Sequence, residues 1–279
     1  MKFKIIADSS CDLDKNYLEG KGIGFSVAPL SINLDGEEYI DNEELNIENF
    51  MNKVNTYTRK GTTSCPSCGN YLKEMEGADY YFVVTLSSKL SGSYNSALAA
   101  KNMHKNPDNI CVIDSKSTTG AMIIIIDKLV ELINEGKSYE EISKFITKYV
   151  EENVGLHFIL NKFDNLIKNG RMSPTKAKFA SALAIKPICE AREGVIELSK
   201  KTIGFSSAIK TLVEEVVKKV KNSLGRQCVI SHCLNSKAAL RIKSLISEKL
   251  PSIKVRIIPM KGLCSYYALE KGVIVCYEH

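Results

Sequence analysis

The stretch from Tyr80 to Met103 constrains this chain most. Tyr80-Tyr81-Phe82-Val83-Val84 is an unbroken β-branched and aromatic run, the pattern of a buried strand. Tyr94 to Met103 then carries alanines and polar residues in helical order. Between them lies a hydroxyl-rich turn, Ser87-Ser88-Lys89-Leu90-Ser91-Gly92-Ser93. A strand feeding a helix through such a turn points unpaired backbone N–H groups and the positive end of the helix dipole outward, which makes a seat for an anion. The plainer reading is that Ser91 or Ser93 serves only as the helix N-cap.

The same alternation recurs along the first half. Phe3 to Ala7 predicts a strand ending at Asp8-Ser9-Ser10-Cys11-Asp12, before a short helix over 14–18. Phe25 to Leu34 and Glu37 to Ile40 predict a hairpin across Asp35-Gly36. Helices are expected over 47–54, from Pro66 to Met75, over 119–134 and over 138–150, with a strand at Ile110 to Ile113. Asp8, Ser91 and Asp114 would then fall at the carboxyl ends of strands, where sheets of this kind bind ligands. Asn153-Val154-Gly155 reads as a hinge. Beyond it come strands at 156–160, 227–231, 254–258 and 272–277, a hairpin around Gly194, and helices at 163–168, 177–184, 206–222 and 236–249. The expectation is a two-domain α/β protein: an N-terminal three-layer α/β domain (1–153) with a mainly parallel sheet, and a C-terminal α+β domain (154–279) with a mixed sheet. The loop 61–78 is expected to pack with the second domain.

Charge and cysteine content narrow the function. The 38 basic and 32 acidic residues leave +6, but the lysines are dispersed over several helices, with no basic tract or aromatic platform for nucleic acid. Nine cysteines, with Met1-Lys2 running straight into a strand and leaving no secretory segment, suggest free thiols and a cytoplasmic location. The longest apolar run, Ala121 to Ile126, is far short of the roughly 20 residues that span a bilayer.

Catalytic constellations are sparse. No Gly-x-Ser-x-Gly elbow is present, and the four histidines are scattered. Ser-x-x-Lys occurs twice, at Ser173 and Ser207, without companion motifs. Cys65-Pro66-Ser67-Cys68 supports a thiol-redox reading, but a structural metal site would want a second such pair. Asp8 or Asp114 supports an alternative in acyl or phosphoryl transfer, against the plainer reading of each as a cap. What remains is a set of donors without a base: Thr62, Thr63, Ser64 and the turn Ser91-Gly92-Ser93. Such groups hold a carboxylate or phosphate without reacting with it.

In order along the chain, Asp8-Ser9-Ser10-Cys11-Asp12-Leu13, Thr63-Ser64-Cys65-Pro66-Ser67 and Ser87 to Ala97 resemble segments of the DegV family of bacterial fatty-acid-binding proteins. So do Val112-Ile113-Asp114-Ser115, Asn169-Gly170-Arg171-Met172-Ser173 and Ile185-Lys186-Pro187-Ile188. The resemblance implies two α/β domains enclosing one long-chain fatty acid, with no cofactor and no catalytic residue. It places the carboxylate on Thr63 and Ser91, with the Gly92 N–H beside them and Ser64 and Ser93 in the same donor set. It implies a carrier that presents its acid to a separate fatty-acid kinase, with Arg171 at that encounter; separately, the chain is expected to be a monomer. The sequence departs from the family pattern at three places. Cys65 stands where glutamine is usual. Lys200-Lys201-Thr202-Ile203-Gly204 replaces a segment that often carries a second arginine, and Ala268-Leu269-Glu270-Lys271-Gly272 replaces a His-x-Gly-Pro-Gly motif whose histidine orders the carboxylate site. Tyr266 and Tyr267 are either substitute donors or a packed pair at a strand end.

Overall fold

In the computed structural model, residues 2–173, 185–220 and 222–279 are described. The helix expected over 177–184 lies outside them.

Three sheets organise the chain. The first is wholly parallel, in the order β2 (Gly24–Ala28), β1 (Phe3–Asp8), β6 (Tyr80–Thr85), β7 (Ile110–Asp114). The second is a small antiparallel sheet of β4 (Glu37–Ile40), β3 (Ser31–Leu34) and β5 (Thr62–Ser64). The third is mixed and six-stranded. Its order is β10 (Val195–Ile203), β9 (Ile185–Arg192), β8 (Val154–Ile159), β13 (Val273–Glu278), β11 (Gln227–His232), β12 (Lys254–Pro259). This is the expected parallel-plus-mixed α/β architecture.

Alternation along β6 shows how the layers form. Tyr81 and Val83 pack with α2 (Cys68–Glu74) and α3 (Ser93–Met103) on one face. Phe82 and Val84 join the large core on the other. That core is shared with α4 (Gly120–Asn134), which packs against β6 of the parallel sheet and against β8, β11 and β13 of the mixed one. The first turns of such a wedged helix have no solvent face, so their sequence must be apolar all round, whereas Glu131 and Asn134 in its last turns are exposed. This accounts for the run Ala121 to Ile126, every residue of which is buried. The helices Phe205–Lys219 and Ser236–Lys249 cover the far face of the mixed sheet.

Four expectations change. The helix over 14–18 is replaced by a 3₁₀ turn at Ser9–Cys11 followed by turns, because Asp8 caps that earlier turn through the Ser10 N–H. Phe25 to Leu34 splits at Pro29 into β2 and β3, which join different sheets. The supposed loop at Thr62 pairs as β5 beside β3. No loop intervenes at the expected hinge of Asn153. Here α5 (Tyr139–Asn153) runs directly into β8, and Gly155 lies so close to the Tyr277 ring that a Cβ there would sit 2.5 Å from it.

Candidate functional site

A cavity of about 400 Å³ opens where the carboxyl end of the parallel sheet meets the near face of the mixed sheet. Its walls are largely aliphatic: Leu156, Phe158 and Leu160 from β8 and the residue after it, Ile274 from β13, Leu86 after β6, and Leu263 from the helix Gly262–Ala268. Strand alternation puts the three β8 residues on one face, so they form a continuous greasy strip. Volumes of this size suit a small-molecule ligand.

Polar groups gather at one end. Thr63, Ser64, Cys65, Ser91, Gly92, Arg171 and Tyr267 all line the cavity. Thr63 arrives on β5, a strand that periodicity alone does not reveal. Its Oγ1 lies 2.8 Å from the Tyr267 hydroxyl. Burial raises the Tyr267 phenol above its ordinary pKa, so it stays protonated at neutral pH and keeps a proton to donate. Of the two tyrosines weighed from sequence, Tyr267 is the one that lines the cavity. Tyr266 is buried, its hydroxyl accepting from Asn169 Nδ2 at 3.2 Å.

The turn before α3 brings Ser91 and Gly92 to the cavity wall. The N-cap position is Gly92, and no side chain caps this helix. By contrast Asn46, Ser67 and Ser138 cap α1 (Ile47–Thr56), α2 and α5 through their side chains. Neither Ser91 nor Ser93 is the simple N-cap expected from sequence. Ser91 Oγ accepts the Ser93 N–H at 3.2 Å and remains at the cavity wall. A Cβ at Gly92 would come within 3.2 Å of Cys65 Sγ, a tight contact that the thiol would have to relieve.

Ser93, grouped with the donors from sequence, does not reach the cavity. It is buried, donates from Oγ to Asp8 at 2.6 Å, and lies 2.6 Å from the Tyr71 hydroxyl. One helical residue beyond Gly92, its side chain turns back toward the sheet.

Asp8 is the hub there. Its carboxylate accepts from the Leu86 N–H at 2.8 Å, from Ser93 Oγ, and from the N–H and hydroxyl of Ser10. It thus ties the ends of β1 and β6 together where the strand order of the parallel sheet reverses. Burial raises its pKa, and the four donors counter part of that shift. Asp114 likewise accepts from the Ser88 N–H at 3.1 Å and the Lys116 N–H at 2.9 Å. Both carboxylates are engaged in holding loops.

Asp12 and Asp41 hold the last helix. Lys261 N–H donates to Asp12 at 2.8 Å, and Gly262 N–H to Asp41 at 2.7 Å. This clamps the helix that brings Leu263, Cys264 and Tyr267 to the cavity, and sequence reading missed that helix. Burial pushes Asp12 up to about 8 and Asp41 up to about 6.

Arg171 half-buries at the same end. Its Nε donates to the Leu90 carbonyl at 3.1 Å, and Nη1 donates to the Asn169 carbonyl. The thiols of Cys65 and Cys68 turn to different neighbours, Ser96 Oγ and Met103 Sδ. Among the described residues no group of three or more His, Cys, Asp and Glu is placed to hold a metal ion.

A family model described as "Uncharacterised protein, DegV family" matches residues 2–278. A DegV domain-containing protein of Streptococcus gordonii is 38% identical over 282 residues, spanning 100% of this chain and 99% of that one. The Streptococcus pneumoniae fatty acid kinase (Fak) B3 protein, solved loaded with linoleic acid, superposes with a TM-score of 0.94 at 35% identity, covering 100% of this chain and 99% of that one. A Eubacterium eligens protein of the same family, loaded with heptadecanoic acid, gives 0.90 at 32% identity over 99% of each chain.

Proposed function

The chain belongs to the DegV family, and on that premise we propose that it binds one long-chain fatty acid, carboxylate toward Thr63, Ser91 and Tyr267 and acyl chain along the Leu156–Leu160 strip. The observation that carries this reading is the pairing of a greasy cavity with hydroxyls and the N-cap Gly92 at one end. A 16-carbon chain gains about 0.8 kcal/mol per buried CH₂. Desolvating the carboxylate offsets that gain unless the group meets several donors. Thr63, Ser91, Tyr267 and the Gly92 N–H are such donors.

The protein acts as a carrier and not as a catalyst. No histidine, aspartate or glutamate is among the described residues that line the cavity, and the two charged groups that do are the cations Lys116 and Arg171. The described lining therefore offers the ligand's carboxylate donors and cations rather than a carboxylate or imidazole base. The name of the pneumococcal relative supports a kinase as the partner. Arg171, tethered by two backbone carbonyls at the polar end, is then the residue that meets the kinase and the phosphoryl group it transfers. We read the chain as a cytoplasmic monomer whose two domains divide at residue 153. Among the described residues no helix is long and apolar enough to cross a membrane.

The test is organic extraction of the purified protein followed by mass spectrometry. About one equivalent of C14–C18 acid per chain is expected. A lipid-free protein that also fails to take up added palmitate would overturn the reading.

A further inference from the structure

At the other end of the greasy strip the cavity runs into a polar cleft of about 640 Å³. Lys116, Ser117, Leu156 and Ala191 line both spaces. Ser117 is unusual among them. Its N–H donates to Ser115 Oγ at 3.2 Å, and its carbonyl accepts from the Ser87 N–H at 2.9 Å. The backbone is thereby fixed, yet the side-chain Oγ finds no hydrogen-bond partner among the described residues, although the residue is only 6% exposed. A buried hydroxyl left unpaired is unfavourable and needs a reason. Thr118 beside it is engaged instead, with Oγ1 within reach of the Ser10 carbonyl and Cys264 Sγ.

We propose that Ser117 is a second polar contact for the ligand, placed against the distal half of the acyl chain, so that the cavity favours long-chain acids bearing a hydroxyl or oxo group there. The inference rests on the fatty-acid reading above. Thr63, Ser91, Arg171 and Tyr267 line the cavity alone, whereas Leu156 and Ser117 also line the cleft, and the strip from Leu156 to Leu160 extends about 13 Å. At roughly 1.3 Å of projected length per C–C bond, that distance corresponds to about ten carbons from the carboxylate.

Charge favours a neutral oxygen over a second carboxylate. Lys116 Nζ is paired with Glu151 at 2.6 Å, and the cleft beyond sets Asp114, Glu151, Glu190 and Glu193 against Lys89, Arg192 and Lys219. A dicarboxylic acid would bring a second negative charge beside a neutral hydroxyl and a lysine already taken.

The experiment uses delipidated full-length protein and measures affinities for stearate, hydroxystearates substituted at positions 2, 10 or 12, and octadecanedioic acid. The 10- or 12-hydroxy acid should bind roughly five- to tenfold more tightly relative to stearate in the wild type than in Ser117→Ala, with stearate affinity itself little changed. Ser117→Thr, which keeps the hydroxyl, should retain the preference. An unchanged hydroxy-to-plain ratio in Ser117→Ala, a preference peaking at position 2, or tighter binding of the dicarboxylate would each overturn the proposal. If none of the acids binds the wild type, the fatty-acid reading fails first; if all bind alike, only the role of Ser117 does.

Discussion

Two regions of this protein are built from the same residue types and behave in opposite ways. At the strand ends, Asp8, Asp12, Asp41, Ser9, Ser10 and Ser93 form a buried network whose carboxylates take donors from the loops, the turn before α3 and the last helix. A few ångströms along the same turns, Thr63, Ser91 and Tyr267 are partly exposed, less fully bonded, and face an apolar void. The first region is glue, because each of its carboxyl groups takes donors from within the fold. The second is a site, because its donors keep capacity for something outside the fold. Ser91 and Ser93, two residues apart, fall on opposite sides of that line.

The comparison breaks most visibly at Asp8. Asp8→Ala strips a partner from Ser10, Leu86 and Ser93 at once and should cost about 3–5 kcal/mol in urea unfolding. If it unfolds like the wild type yet abolishes lipid binding, glue and site have been exchanged. Thr63→Val with Ser91→Ala should do the reverse. Palmitate binding weakens by about 2–4 kcal/mol by titration calorimetry, while the unfolding midpoint barely moves.

The clamp on the last helix gives a pH signature. Asp12 and Asp41 keep protons in the folded state that the unfolded chain, with ordinary carboxyls, releases near pH 4. Their contribution is complete below about pH 4 and is lost as pH rises through about 6 and about 8. Thermal unfolding scans from pH 6 to 9 should show stability falling, by about 1–3 kcal/mol, and Asp12→Asn should flatten the slope. Tyr267→Phe removes one donor beside Thr63 and should weaken palmitate binding by about 1 kcal/mol without a stability change. Arg171→Ala should change affinity least, by under about 1 kcal/mol, because a half-exposed charge is screened. Its effect should appear in the rate at which a partner kinase phosphorylates the bound acid.

Local sequence was a good guide wherever one segment's own pattern settles the outcome. The runs at Tyr80 and Ile110, the capped helices behind Ser67 and Ser138, and the hairpin at Asp35-Gly36 all stand where periodicity and turn chemistry put them. It was a poor guide where a distant partner decides. Thr62-Thr63-Ser64 is a strand because β3 offers an edge to pair with, and Gly262–Ala268 is a helix whose N-terminal amide is received by Asp41. The N-terminal carboxylates look like local caps in sequence. Asp8 is one, but it also spans 78 residues to reach Leu86, and Asp12 spans 249 to reach Lys261.

By itself, then, the sequence determined the alternation of strands and helices, the sealed apolar helix at Ala121–Ile126, and a stock of hydroxyl donors without a base. Only the tertiary structure decided which of those hydroxyls are spent and which are spare. Hydrogen-bond satisfaction is a property of neighbours in space, and the residues that share out these donors lie tens to hundreds of positions apart in the chain.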